Sequence, residues 1–160
     1  GTAAARGRRA GCPSCVASCP SNINHQLVNK TTTPFSRIGG EPAVRRLVKR
    51  FYDLMDTLPE AYGIRKLHQP DLSGAEEKLF MFLCGWLGGP QLYVEKHGHP
   101  RLRARHLPFA IASEESEQWM LCMRTAMAEV IEDEALRAGL DKSLNDLAYH
   151  MRNRNDPPAT

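Results

Sequence analysis

Residues 98–109 of this 160-residue chain have the sequence GHPRLRARHLPF. Pro100 can open a helix, and Pro108 ends one, because proline has no amide donor and disfavours helical geometry in the residue before it. The stretch therefore predicts a short helix with His106 near its end. A neutral imidazole nitrogen at such a place can bind a metal, and the neighbouring arginines bring fixed positive charge beside it. This combination suits a metal held inside a group that carries carboxylates.

Elsewhere in the chain, apolar residues recur at intervals of three and four, which is the period of amphipathic helices. The pattern predicts helices over 41–58, from 71–73 to 85–90, from Ser113 to about 131, and over 134–152, with a short helix or turn at 91–97. Cys84 and Cys122 lie in these segments and are expected to pack in the core. No stretch alternates with a period of two for long enough to predict a strand, so the expected fold class is all-α.

Two of these helices carry polar residues where caps are expected. Asp71 or Ser73 can accept the free amide N–H groups at the start of the second long helix. Ser113 is the expected cap of the third, because a run of glutamates follows it in the first turn, where the helix dipole favours negative charge. The expected apolar face of the second helix consists of Leu72, Ala75, Leu79, Phe82 and Leu83.

Charge and hydropathy exclude two classes of partner. The chain has 21 basic and 18 acidic residues, and four of the basic ones lie in residues 1–34, which contain no acid. Residues 35–160 therefore carry 17 basic against 18 acidic residues, whereas nucleic-acid-binding domains usually concentrate basic residues on a folded face. The sequence contains no run of about eighteen apolar residues, which a membrane-spanning helix would require. We therefore expect no nucleic-acid or membrane partner and a cytoplasmic location.

The first 34 residues support two interpretations. Cys12, Cys15 and Cys19 have a Cys-x-x-Cys-x-x-x-Cys spacing that can bind zinc or an iron–sulfur cluster, with His25 as the nearby candidate for a fourth ligand. The same segment is rich in small, polar and proline residues, a composition that buries too little surface to fold by itself. A disordered or low-complexity extension is the favoured expectation.

Several short motifs follow one another along the rest of the chain. They are Phe51-Tyr52, Leu67-His68, Ala75-Glu76, Leu79, Gly88-Gly89-Pro90, the run from Gly98 to Arg103, Arg105-His106, Pro108-Phe109 and Trp119. In this order and spacing they resemble the group II truncated haemoglobins. The resemblance implies a two-over-two helical sandwich around haem b. It covers the chain from residue 35 to residue 154, and so divides it into an extension at 1–34, a truncated globin domain at 35–154 and a tail at 155–160 that is expected to be disordered.

The resemblance assigns His106 to the position that holds the haem iron, and Tyr52 and Trp119 to the polar pair on the opposite side of the haem, here called the distal side. A phenol hydroxyl and an indole N–H can each donate a hydrogen bond to oxygen, which becomes partly negative when it binds ferrous iron. Each bond is worth about 1 kcal/mol, so the resemblance implies tight ligand retention. Ala75 matches the usual distal-histidine position of ordinary globins, and its small side chain leaves an opening.

The connector before the second long helix departs from the commoner, tyrosine-bearing form of this family, because it is one residue shorter. Either Leu67 or His68 faces the ligand, and His68 is favoured because it would add a titratable polar group. Arg105 is expected to pair with a haem propionate. The side chains expected to contact haem are Leu79, Phe82, Arg105, Phe109, Trp119 and Met123.

Three functions remain open at this point. The leading one is an oxygen-binding haem protein, a monomer or homodimer, with O2, NO and CO as ligands and no catalytic residue. The second uses the same pocket for nitric oxide dioxygenation or peroxide turnover. Because the chain has no nucleotide motif such as Gly-x-Gly-x-x-Gly, a reductase would be a separate protein. The third is a cofactor-free helical module whose cysteine segment binds a metal. A resting state with Tyr52 or His68 on the iron is also open.

Overall fold

The structure, a computed structural model, describes residues 33–156, and every regular element in that range is helical. The helices are α1 (Pro34–Ile38), α2 (Gly40–Thr57), α3 (Tyr62–Arg65), α4 (Ser73–Trp86), α5 (Leu92–His97), α6 (Leu102–His106), α7 (Ser113–Val130) and α8 (Glu134–His150), with a 3₁₀ turn at Pro59–Ala61. The all-α class is thereby confirmed. Among these residues no helix combines the length and hydropathy that a membrane span requires. The cysteine motif at 12–19 and His25 lie outside the described residues.

The core forms where α2 packs against α7 and α4, while α8 also packs against α7. This gives two helix pairs, α2 with α4 and α7 with α8, in the two-over-two arrangement. The largest fully buried side chains come mainly from the three- and four-residue pattern of α2 and α7, and they include Leu47, Phe51, Met55, Met120, Met123 and Met127. Burial of this apolar surface is the main source of stability for such a fold.

The helix starts show where local sequence rules hold. Thr33 caps α1 by accepting the Ser36 N–H through Oγ1 at 3.1 Å, so the helical part begins at Pro34, one residue before the predicted boundary. Asp71, one of the two predicted caps of α4, accepts the Ser73 N–H at 3.0 Å, but the residue at the cap position is Leu72, which makes no side-chain cap hydrogen bond. The prediction for α7 was wrong. Its cap residue is Ala112, whose N–H donates to the Glu115 carboxylate at 2.9 Å.

Ser113 is the first residue of α7 and has a different partner. Its amide N–H and its hydroxyl each donate to the Asp156 carboxylate, both at 2.9 Å. These bonds hold the end of the described chain against the start of α7. The serine therefore anchors a remote segment, which its position before three glutamates did not indicate.

The predicted apolar face of α4 packs against the core, but it is not the most buried part of the helix. Leu83 is buried, but the other four predicted residues are only partly buried, and α4 continues through Gly85 to Trp86. The fully buried side chains of the helix are Phe80, Met81, Leu83 and Cys84. Cys84 and Cys122 do lie in the core as predicted, and burial raises the pKa of each thiol to about 11. The partly buried side of α4 is the side that faces the candidate site.

Helix α6 occupies the position predicted between Pro100 and Pro108, and His106 is its last residue. No residue of α6 is buried. The helix is held instead by the end of the chain. Arg103 Nη1 donates to the carbonyls of His150 at 2.6 Å and Arg152 at 3.0 Å, and Asn153 Nδ2 donates to the carbonyl of His106 at 3.0 Å. Polar contacts with residues 150–153 therefore replace core packing here.

Candidate functional site

The half-buried His106 is the strongest candidate for a metal ligand, because of how its ring is held. Its Nδ1 lies 2.6 Å from the carbonyl oxygen of Leu102, one turn earlier in α6. A carbonyl only accepts hydrogen bonds, so Nδ1 carries the proton and, in the neutral ring, Nε2 keeps its lone pair. Ligand histidines in proteins are commonly oriented by such a bond from the other ring nitrogen. The local structure thus prepares Nε2 for a metal.

Next to α6 lies an open cleft of about 440 Å³. Its lining comes from α4, from the segment before and within α6, and from the end of α8, and consists of Phe82, Trp86, His99, Pro100, Arg101, Leu102, Arg103, Ala104, Leu147, His150 and Met151. The floor is mainly apolar, whereas arginine and histidine side chains supply polar groups. Clefts of this size and composition are typical of cofactor and ligand sites. His106 is not among the lining residues, although Leu102 on the same helix is.

The residues predicted to contact haem lie at different places relative to the cleft. Phe82 lines the cleft, and Leu79 lies one turn earlier on the same partly buried side of α4. Met123 is fully buried in the core, and Phe109 is 41% exposed. Arg105 lies outside the cleft, where its Nε donates to the Pro100 carbonyl at 2.8 Å and its guanidinium lies 5.7 Å from the centre of the Tyr93 ring.

Some lining residues were missed by the sequence reasoning. Arg101 and Arg103 are the arginines at the cleft, and Trp86 and Leu102 contribute to its apolar lining. Helical spacing could have indicated the latter two, because Trp86 follows Phe82 by one turn and Leu102 precedes His106 by one turn. No such spacing distinguishes Arg101 and Arg103 from Arg105 as the arginines at the cleft, because this depends on how α6 is rotated against α8.

An aromatic cluster joins the residues predicted for the distal side. Phe51 is fully buried on α2, and its ring lies 4.9 Å from Tyr52 in an edge-to-face arrangement and 5.1 Å from Trp119 on α7. Such aromatic pairs add to the stability that burial provides. The Tyr52 hydroxyl donates a long hydrogen bond of 3.4 Å to the carbonyl of Ala75 on α4. Three predicted distal residues, Tyr52, Ala75 and Trp119, are thereby joined directly or through Phe51.

Burial controls the protonation of Tyr52. Removal from solvent raises the pKa of the phenol strongly, and the negative charge of Glu76 raises it further. Both effects disfavour the phenolate anion. Tyr52 therefore stays a hydrogen-bond donor throughout the physiological pH range.

His68, rather than its neighbour Leu67, has a described contact with this cluster. Its ring lies 5.9 Å from the Tyr52 ring, and its Nδ1 lies 2.8 Å from the Ile64 carbonyl oxygen. The pKa of His68 is lowered, chiefly by burial and also by the positive charges of Arg65 and His106, while the bond to Ile64 opposes this shift. A neutral ring with Nδ1–H donated to a carbonyl leaves Nε2 unprotonated. At neutral pH His68 therefore offers a hydrogen-bond acceptor.

The segment that carries His68 is fixed to α7 beside Trp119. The amide N–H of Ile64 donates to Oε1 of Gln118 at 2.9 Å. Gly63 makes this approach possible, because a Cβ atom there would lie 2.6 Å from the same oxygen. Ile64 therefore links the two sides. Its carbonyl orients the His68 ring, and its amide is held by Gln118, the residue before Trp119.

The donor set and the cleft fit a haem group. Helix α4 contributes Phe82 and Trp86 to the cleft and α6 contributes Leu102, so apolar side chains of both helices line this space. An apolar ring can occupy that space, its carboxylates can meet the arginine side, and an imidazole with a free Nε2 can hold its iron. The residues present therefore agree with the prosthetic group that the sequence motifs imply.

Comparisons with known proteins support the same interpretation. The family model of the bacterial-like globins matches residues 33–153. The chain is 39% identical over 123 residues to the group 2 truncated hemoglobin YjbI of Bacillus subtilis, which covers 77% of this chain and 90% of that protein. It also resembles the group II 2-on-2 hemoglobin of Agrobacterium tumefaciens, with a TM-score of 0.76 and 50% identity over 79% of this chain and 98% of that one. A truncated hemoglobin of Pseudoalteromonas haloplanktis gives a TM-score of 0.76 and 42% identity, over 77% and 99% of the two chains.

Proposed function

Because this chain belongs to the bacterial-like globin family, we propose that it binds haem b through His106 and takes a diatomic gas, O2 foremost, on the distal side. The observation that carries the proposal is the bond from His106 Nδ1 to the Leu102 carbonyl, which leaves Nε2 free to coordinate. When bound, haem supplies an iron with one position for the protein and one for a small ligand. NO and CO are expected to use the same position.

The distal residues have different proposed roles in holding such a ligand. Tyr52 and Trp119 carry O–H and N–H donors, which stabilise a ligand that becomes partly negative. Leu79 and Phe82 form an apolar wall that limits the entry of water, and Ala75 leaves room beside it. Each hydrogen bond of this kind is worth about 1 kcal/mol, so two together slow ligand release by roughly one power of ten or more.

A second candidate function, peroxide turnover, is favoured by the state of His68. A half-buried imidazole with an unprotonated Nε2 can accept a proton from a protic ligand such as hydrogen peroxide. Electrons for repeated turnover would come from a separate reductase. Steady-state peroxide consumption with an added electron donor, compared between the wild type and His68→Leu, separates this activity from simple gas binding.

The experiment that tests the main proposal is optical spectroscopy of the protein purified with haem. We expect a Soret band in the ferric and dithionite-reduced forms, and a shift of the reduced band when carbon monoxide is added. His106→Ala should lose or alter these spectra, whereas the matched variant His97→Ala should keep them, because His97 packs on Tyr93 in α5. A folded wild-type protein that takes up no haem, or a His106→Ala spectrum identical to the wild type, would overturn the proposal.

A further inference from the structure

Arg65, at the end of α3, makes three side-chain hydrogen bonds, one to α2 and two to the segment before α4. Its Nε donates to Oδ1 of Asp56 on α2 at 2.8 Å. Its Nη1 donates to the carbonyl of Gln69 at 3.0 Å, and its Nη2 donates to the carbonyl of Pro70 at 2.9 Å. Because the guanidinium is planar, its donors point in fixed directions, and the three bonds together fix residues 69 and 70 relative to α2.

The surroundings of Arg65 differ from those of an ordinary surface arginine. Its side chain is 21% exposed, whereas Arg124, which forms an ion pair with Asp141, is 49% exposed. Asp56 is 57% exposed, so the guanidinium, rather than the ion pair as a whole, is shielded from solvent. Arg65 also lies in the wall of a polar cleft of about 300 Å³ that Tyr52 lines as well. The clamp, defined as Arg65 with Asp56, Gln69 and Pro70, therefore stands beside the distal residues.

His68 lies between the two ends of this clamp. Its amide N–H donates to the carbonyl of Arg65 at 3.0 Å, and Gln69 follows it directly in the chain. The Ile64 carbonyl orients its ring through Nδ1. Release of residues 69 and 70 would leave the backbone of His68 fixed on one side only, so the ring could leave its place beside Tyr52.

We propose that Arg65 is a positioning residue, which clamps the connector to α2 so that His68 keeps one orientation beside Tyr52. This inference rests on the proposed function, since the orientation of His68 affects a gas ligand only if the distal site is the one described above. Lysine cannot replace arginine fully, because an ammonium group lacks the fork that reaches a carboxylate and two carbonyls at once.

Infrared spectroscopy of the haem-loaded protein with carbon monoxide tests the proposal, because the stretching frequency of this probe responds to polar groups beside it. The wild type should show one narrow band. Arg65→Met should broaden or split that band as His68 takes several orientations, and Arg65→Lys should restore it only in part. In a His68→Leu background, adding Arg65→Met should change nothing, which is the coupling that a double-mutant cycle measures.

The matched control is Arg124→Met, which also breaks an arginine–carboxylate pair but one that joins α7 to α8 and not to the connector. It should leave the carbonyl band unchanged. An unchanged band in Arg65→Met would overturn the proposal. So would a change of equal size in the His68→Leu background, because Arg65 would then act independently of His68.

Amide hydrogen exchange of residues 66–72 supplies a readout that needs no gas ligand. We expect exchange about tenfold faster in Arg65→Met than in the wild type or Arg124→Met, as loss of charged hydrogen bonds predicts. If carbon monoxide leaves the wild-type spectrum unchanged, the proposed function fails, while the exchange rates still decide whether Arg65 holds the connector. Equal rates in all variants would show that it does not.

Discussion

His68 and His106 make the same local contact in two differently built regions. In each, Nδ1 lies against the carbonyl oxygen four residues earlier, at 2.8 Å from Ile64 and 2.6 Å from Leu102. The region around His68 packs on the buried aromatic cluster and is clamped by residues close in sequence. The region around His106 contains a helix without a buried residue, held by residues about 47 positions later in the chain.

The difference separates two ways of fixing a functional side chain. The distal side depends on core packing, so its geometry is stabilised together with the whole fold. The side of α6 and His106, here called the proximal side, depends on a few polar bonds to residues 150–153, so we expect it to open without unfolding the core. A site that must admit a large prosthetic group benefits from one rigid wall and one wall that is held less tightly.

The largest expected effect is on the core of the distal side. Phe51→Ala should lower the free energy of unfolding by about 3–5 kcal/mol, because it leaves a cavity beneath both Tyr52 and Trp119. Phe109→Ala is the matched proximal variant and should cost far less, since Phe109 is 41% exposed. Urea unfolding of the haem-free proteins measures both, because bound haem would add its own stabilisation. Equal losses in the two variants would show that the two sides do not differ in this way.

Sequence could predict the parts of this fold that depend on neighbours along the chain. The length of α2, the stop at Leu58-Pro59 and the place of α6 between two prolines all follow from local rules. The most buried residues of α4 could not all be predicted. A face that lines a haem crevice and a face that lines the core both need apolar residues, so periodicity does not distinguish them.

The bonds that tether α6 were also beyond prediction. Arg103 donates to the backbone carbonyl of His150 and Asn153 donates to that of His106, and backbone carbonyls carry no side-chain pattern. Arg103 lines the cleft and Arg105 does not, whereas the expected pairing of Arg105 with a haem propionate stays a prediction. His106, Tyr52 and Trp119 could be nominated because motif order and spacing indicated them before any contact was known.

A smaller effect is expected from the tether of α6. The Asn153 side chain donates to the carbonyl of His106 at 3.0 Å and accepts the Ile111 N–H at 3.1 Å. Asn153→Ala removes both bonds and should cost about 1–3 kcal/mol. Most of this change should appear as faster amide exchange in α6, with little change in α2. Asn145→Ala, on the exposed side of α8, is the control and should leave both helices as they are. Uniformly faster exchange across α2 and α6 would show that the proximal wall is not a separate unit.

The smallest effect concerns the charge of His68. Its pKa is lowered in the fold, first by burial and then by the charges of Arg65 and His106, from an ordinary value of 6.5. Between the lowered pKa and 6.5 the unfolded chain therefore binds more protons than the folded one. The free energy of unfolding falls as the pH falls through that window, and above the window His68 no longer changes it. Unfolding of the haem-free protein between about pH 7.5 and about pH 5.5 should show a larger loss for the wild type than for His68→Gln. If the two losses are equal, or the larger belongs to His68→Gln, His68 is not buried as a neutral ring, and the distal side would be as open to solvent as the proximal one.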